Sequence, residues 1–288
     1  MFERIGANTA TLLDTGKVLV TGRGRGVVPL APELYDPVTG SWSTTGSMIE
    51  ARAVATATLL RDGKVLVTGG FDASGFALAT AELYDPDTRS WSSAARMDAA
   101  RASEHTATLL SDGTVLVSGG YRTGREPWET LASAEVYHPG NRTWTDAGAM
   151  KESRHGHTAT LLDDGRVLLV GGGGMLTSVE LFDPDSSTWT DAANTVVGRI
   201  FHTATLLPAT GMVLVTGGMD GTGALASAEL YDPVNRSWTA TESMLESRLG
   251  HLVLLLPNGR VLVMGGIDSV IDGGNLLTSA ELFDSGSR

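Results

Sequence analysis

An internal repeat constrains this chain more than any other feature. A leucine pair after an Ala-Thr step, or its equivalent, recurs at Leu12, Leu59, Leu109, Leu161, Leu206 and Leu255, at spacings of 47, 50, 52, 45 and 49 residues. Six such periods account for nearly all of the 288 residues. Self-similarity at this length marks a supersecondary unit that cannot bury its apolar faces alone and stacks on its neighbours. The units run approximately over 1–47, 48–96, 97–149, 150–195, 196–243 and 244–288 of a single domain.

Each unit reads as four strands. The first, of the kind HTATLL, ends at an Asp-Gly or Asn-Gly turn (Asp62-Gly63, Asp112-Gly113, Asp164-Gly165, Asn258-Gly259). Such dipeptides accept positive φ and close tight hairpins. The second is an apolar V-L-V run ending in Gly-Gly, and the third is A-E-L-Y stopped by Asp-Pro, since proline cannot continue a ladder. The fourth centres on Trp42, Trp91, Trp144, Trp189 or Trp238. No segment holds a 3.6-residue apolar period over three turns. The fold class is therefore all-β, and a four-stranded antiparallel unit repeated six times at this period predicts a six-bladed β-propeller.

Gly-Gly after the second strand, an aromatic residue in the third and Trp in the fourth form the signature of the kelch repeat, and the chain resembles bacterial kelch-repeat propellers over its whole length. Gly69-Gly70, Gly119-Gly120, Gly171-Gly172, Gly217-Gly218 and Gly265-Gly266 match, while the first copy departs with Gly22-Arg23. The aromatic position holds Tyr35, Tyr84, Tyr137, Phe182, Tyr231 and Phe283. The resemblance implies that the first strand is innermost and the Trp strand outermost. It also implies that the fourth-to-first and second-to-third loops share a face where partners bind. By analogy with Asp85 to Trp91, a sixth Trp strand should follow Asp284, and none is present, so the last blade is expected to lack its outer strand.

Composition narrows the function classes. With no cysteine, disulfides, thiolate metal sites and cysteine nucleophiles are excluded, as is the Tyr–Cys cofactor of copper radical oxidases, which are also kelch-type propellers. A net charge of −12 from 21 basic and 33 acidic residues argues against nucleic acid. No apolar run approaches the roughly 20 residues of a membrane helix, so no membrane insertion is expected. The start, MFERIGANTATLL, lacks a signal-peptide pattern. Arrays that this chain resembles are often exported beside other domains.

Three groups are candidates for chemistry. Arg52, Arg101, Arg154, Arg199 and Arg248 each precede a first strand, where the first copy has Arg4 and Ile5. Their guanidiniums could grip a carboxylate or an acidic sugar, as in kelch adaptors that capture acidic peptides. The competing reading ties them to structural acids, above all the third-strand glutamates Glu33, Glu82, Glu135, Glu180, Glu229 and Glu281. The Trp residues are likewise read as structural. His105, His157, His202 and His251 share one repeat position and are expected to bond backbone rather than hold a metal; His155 lies outside that pattern. The third group is the loop that most breaks the repeat, YRTGREPWETLAS at 121–133, with Tyr121, Arg122, Arg125, Glu126 and Trp128. Aromatic residues beside arginines fit a binding hot spot, and their faces can stack on a sugar ring. Arg23 and Arg25 add positive charge to the same side.

The reading these residues support is a non-catalytic binding or scaffold propeller, monomeric and without metal or cofactor, offering loops to a protein, peptide or glycan. The alternative is a carbohydrate-active enzyme of the kelch sialic-acid mutarotase type, for which Arg154, His155, Arg199 and Glu126 would have to converge. No G-x-S-x-G elbow is present to begin a serine triad.

Overall fold

Antiparallel sheets follow from the alternation of short apolar runs and turn dipeptides, and they make up all the regular structure of the described residues. The computed structural model describes residues 9–22, 31–123, 128–270 and 274–284. Arg4, Ile5, Arg23, Arg25, Arg125 and Glu126 lie outside them.

The chain divides into two compact units, Met1–His155 and Gly156–Arg288. The first holds three four-stranded blades. Blade 1 is Thr9–Leu12, Val18–Thr21, Glu33–Asp36 and Ser41–Thr44; blade 2 is Thr56–Leu59, Val65–Thr68, Ala81–Asp85 and Ser90–Ser93. Blade 3 is Thr106–Leu109, Val115–Ser118, Ser133–His138 and Thr143–Ala149. The second unit holds blade 4 (Thr158–Leu161, Val167–Val170, Val179–Asp183, Thr188–Ala192) and blade 5 (Thr203–Leu207, Met212–Thr216, Ala228–Asp232, Ser237–Thr241). Among the described residues its blade 6 has three strands, Leu252–Leu255, Val261–Met264 and Ala280–Phe283. Every blade pairs its strands in sequence order, first to last.

The V-L-V run explains how blades stack. Successive side chains of a strand point to opposite faces, so a strand buried on both sides reads as continuous apolar sequence. In the first unit the leucine face of blade 2 (Leu60, Leu66, Leu83) meets the valine face of blade 3 (Val115, Val117, Tyr137) with Trp144 at its margin. Blade 1 meets blade 2 in the same way, through Leu13, Leu19 and Leu34 against Val65, Val67 and Tyr84. In the second unit Leu162, Leu168 and Leu181 of blade 4 meet Val213, Val215 and Tyr231 of blade 5. Leu207 and Leu214 of blade 5 meet Val261 and Val263 of blade 6, with Phe283 packed against them.

The Gly-Gly pairs dock one blade's entry loop onto the blade before it. Gly69 and Gly70 both have positive φ, 64° and 95°. A Cβ on Gly69 would stand 2.5 Å from the Arg101 carbonyl oxygen, and one on Gly70 2.6 Å from the Ala53 carbonyl oxygen. The space is taken by a hydrogen bond: the Gly70 amide donates to the Arg101 carbonyl at 2.9 Å. The same bond recurs from Gly120 to Arg154, Gly172 to Arg199 and Gly218 to Arg248. Glycine here permits both the left-handed turn and the close approach.

Candidate functional site

The arginines of the repeat lie inside the protein. Arg52, Arg101, Arg154, Arg199 and Arg248 are at most 1 % exposed. A guanidinium brought there needs acceptors for its donors and a counter-charge. Arg101 donates to the Gly119 and Ser133 carbonyls at 2.8 and 2.9 Å, to Ser133 Oγ at 3.1 Å and to Glu135 Oε1 at 3.1 Å. Burial pulls its pKa below the ordinary arginine value, and the Glu135 carboxylate pushes back. Arg52 reaches Glu82 at 2.8 Å, Arg199 reaches Glu229 at 2.6 Å and Arg248 reaches Glu281 at 2.7 Å. The glutamates in turn accept backbone amides of the entry loop: Ile49 and Glu50 donate to Glu82 at 2.7 and 3.0 Å, and Asp98 and Ala99 to Glu135 at 2.7 and 3.2 Å. Each such pair fastens the loop leading into a blade onto that blade's third strand. Glu33 of blade 1 is exposed, and its counterpart position, Ile5, lies outside the described residues.

One member of this network was not singled out in the sequence. The residue two before each glutamate, Thr80, Ser133, Ser227 or Ser279, offers its carbonyl and hydroxyl to the same guanidinium. The signal was an S/T-x-E pattern in five of the six copies; blade 1 has Ala31 there.

Three of the repeat histidines reach threonine side chains of the preceding blade. His105 Nε2 lies 3.1 Å from Thr56 Oγ1, itself 2.7 Å from Thr68 Oγ1. His202 meets Thr158 at 2.9 Å, and His251 meets Thr203 at 2.9 Å and Thr216 at 3.2 Å. Burial, reinforced by the nearby arginine, pushes the His105 pKa down to about 3, and the same two causes bring His251 to about 4. Both are neutral at pH 7. Among the described residues no three potential ligands converge on a metal position. Asp72, Asp220 and Asp268 accept amides of their own loops, from Ser74, Thr222 and Asn275, as turn formers do. His138, in the place of the usual aspartate, bonds Thr145 across its hairpin at 2.8 Å.

The loop of blade 3 differs from the rest. Tyr121–Arg122 pairs with Glu129–Thr130 as a small hairpin, in register Tyr121 to Thr130 and Arg122 to Glu129. Its base is fixed to blade 3's entry loop, because the Ala102 amide donates to the Tyr121 carbonyl and the Tyr121 amide to the Ser103 carbonyl. The Tyr121 ring stacks on His155 at 4.1 Å between centroids, and Trp128 sits edge-on to Tyr121 at 6.0 Å. His155 Nδ1 lies 3.5 Å from Thr130 Oγ1. Tyr121 is half-buried, and burial, with Glu104 nearby, pushes its pKa up to about 12; burial takes His155 down to about 4. Trp128 remains 42 % exposed. Arg122 faces solvent with Glu129 at 3.6 Å, a weak surface pair that leaves both able to meet a partner. Thr123 donates to the Gly75 carbonyl at 3.3 Å, which holds this loop beside the blade 2 loop carrying Phe76, itself 52 % exposed. The structure thus brings Tyr121, Arg122, Trp128 and His155 together, while Arg125 lies outside the described residues. Glu129 and Thr130 are the members that sequence reasoning passed over; a two-residue strand pair carries no alternation to reveal it.

The structural tryptophans span blades. Each stacks on the third-strand ring of its own blade, with centroids 4.9 to 5.0 Å apart for all five from Trp42 to Trp238. Trp144 donates to the Ala95 carbonyl and Trp238 to the Ala193 carbonyl of the blade before, both at 2.7 Å.

The Kelch motif family matches residues 54–98 and 209–245, stretches that contain Gly69-Gly70, Tyr84 and Trp91 in one case and Gly217-Gly218, Tyr231 and Trp238 in the other. No curated protein matches the chain. The solved structure of YjhT aligns over 96 % of this chain and 94 % of its own, with a TM-score of 0.71 and 17 % identity. At that identity the likeness carries the fold alone. The Kelch motif is thus matched within blades 2 and 5, and the chain shares the fold of YjhT.

Proposed function

We propose that this propeller is a non-catalytic binding module that meets its partner, a peptide, protein surface or glycan, through the blade 3 hairpin. One observation carries this reading. The repeat-symmetric charges are consumed by bonds inside the protein, whereas the residues that break the repeat form an aromatic cluster with an exposed rim. Trp128 supplies a broad apolar face, and the Tyr121–His155 stack beneath it limits the conformations that binding would have to freeze. Arg122 and Glu129 add polar anchors at the edge. Such a combination of rigid aromatic and arginine matches the make-up of binding hot spots.

The test is a screen of a glycan array and a displayed peptide library with the wild-type protein and a Trp128→Ala variant. A partner of the hairpin is expected to lose at least about tenfold in affinity on this substitution, since hot-spot truncations cost about 2 kcal/mol or more. The melting temperature should stay within about a degree, because the ring is at the surface. A partner bound equally well by both proteins would overturn the assignment of the site.

A further inference from the structure

The turn between the first two strands of blade 6 carries a chemistry that its counterparts lack. Blades 2, 3 and 4 close this hairpin with Asp62-Gly63, Asp112-Gly113 and Asp164-Gly165, and blade 6 closes it with Asn258-Gly259. The four turns are built alike. The side-chain Oδ1 accepts the amide of the residue two positions on, Lys64, Thr114, Arg166 or Arg260, at 2.9 to 3.1 Å. The glycine amide donates to the carbonyl of Leu60, Leu110, Leu162 or Leu256 at 2.9 to 3.0 Å. Of the six asparagines in the chain, Asn258 alone precedes a glycine, and it is exposed.

Blades 4 and 6 are the instructive pair, because both follow the turn with arginine. The second carboxylate oxygen of Asp164 accepts from Nε and Nη2 of Arg166 at 2.9 and 2.6 Å. An asparagine whose Oδ1 is taken by a backbone amide has its Nδ2 left, and that group only donates. It cannot accept from an arginine. Accordingly, Arg260 Nε is buried without a hydrogen-bond partner among the described residues. Asp284 Oδ2 stands 3.8 Å from it, too far for a hydrogen bond. The blade 6 turn has the bonding of its blade 4 counterpart but offers a donor where the arginine wants an acceptor.

We propose that Asn258 is a site of spontaneous deamidation, and that the fold accommodates the aspartate it becomes by pairing it with Arg260. The Gly259 backbone nitrogen bonds to Asn258 Cγ. The bond from Cγ to the side-chain nitrogen breaks, and that nitrogen leaves as ammonia, carrying the proton of the Gly259 amide. Water then adds to the resulting five-membered succinimide and opens it to a carboxylate. Glycine leaves the attacking nitrogen uncrowded by a Cβ. The folded turn sets the pace. The Gly259 amide is donated to Leu256 and Asn258 Oδ1 accepts from Arg260, so the reacting atoms meet only when the hairpin opens. Isoaspartate would add a methylene to the backbone of this turn, whereas aspartate reproduces the Asp164–Arg166 arrangement. The site is separate from the blade 3 hairpin and stands or falls independently of it.

The test holds the intact protein in mildly alkaline buffer and follows its tryptic peptide 249–260, in which Asn258 is the one asparagine, by mass spectrometry. A gain of one mass unit is expected, about tenfold to a hundredfold slower than in the synthetic peptide LGHLVLLLPNGR, the slowing that a local opening step imposes. A protease specific for aspartate separates the two products and should find a larger aspartate share than in the peptide. Asn258→Gln, whose longer side chain does not close the five-membered ring, should show no gain. Asn258→Asp, which installs the product outright, should raise the melting temperature by about 1–3 °C, as one ion pair at the surface would. That rise should vanish in an Arg260→Ala background. No mass gain in the folded protein after about a hundred half-lives of the peptide reaction, or equal rates in protein and peptide, would overturn the proposal. So would an Asn258→Asp variant with no rise, or with a rise that survives Arg260→Ala.

Discussion

An arginine sealed from water turns into a structural part, and its glutamate is what makes the burial tolerable. Removing one partner of a buried pair strands the other charge, at a cost of about 3–5 kcal/mol. Glu135→Ala should therefore lower the free energy of unfolding in urea by about that amount, and Arg154→Ala should lower the melting temperature as a buried repeat member. The arginines and glutamates were both legible as a repeat, but their pairing and depth were not. Arg52 and Glu82 are 30 residues apart, and only the folded blade brings their atoms to 2.8 Å. Gly69 belongs to the same scale. Gly69→Ala forces a Cβ onto the Arg101 carbonyl and a left-handed φ onto alanine, so it should destabilise by more than a typical surface change, measured by the same urea titration.

At the scale of the strand, V-L-V is a two-sided apolar element whose leucine and valines serve different interfaces. Leu66→Ala, in a position with no exposed surface, should cost about 2–5 kcal/mol. The loss should appear as a drop in the urea midpoint. Trp144→Phe keeps a ring on Tyr137 but removes the bond to Ala95, and should cost about 1 kcal/mol. These strands and turns were readable because each carries its own chemistry: β-branched residues, Asp-Gly turns and Asp-Pro stops. The blade 3 hairpin was not readable as structure, since two residues on each side give no pattern. Its unusual composition, by contrast, marked it as the place where the copies diverge.

At the scale of the whole molecule, protonation couples to stability through groups spread over both units. His105, His155 and His251 titrate in the fold at about 3, 4 and 4, and His202 lies well below its ordinary 6.5. An unfolded chain takes up these protons near pH 6.5 while the folded chain resists, so acid favours unfolding. Stability should be full above about pH 6.5 and fall as pH drops toward 4. Below that, Asp85, Asp112, Asp164 and Asp232, all held under the usual carboxylate value, lose their stabilising contribution as they protonate. Melting temperature followed from pH 7.5 to 4 checks the first part. His105→Gln, which carries no titrating ring, should flatten the slope between pH 6.5 and 4.

The sequence by itself determined the period, the strands of each unit and the turns that join them. Each of these is written in local chemistry and repeated six times, so chance variation in one copy cannot hide it. Only the tertiary structure decided which charges are internal. An arginine before a strand reads alike whether it faces water or a carboxylate, and its fate depends on residues about thirty positions away that fold over it. The same holds for the aromatic loop. Tyr121 and Trp128 were visible in the sequence, but the stack on His155 that makes them one surface exists only once the blade entry loop is folded beneath the hairpin.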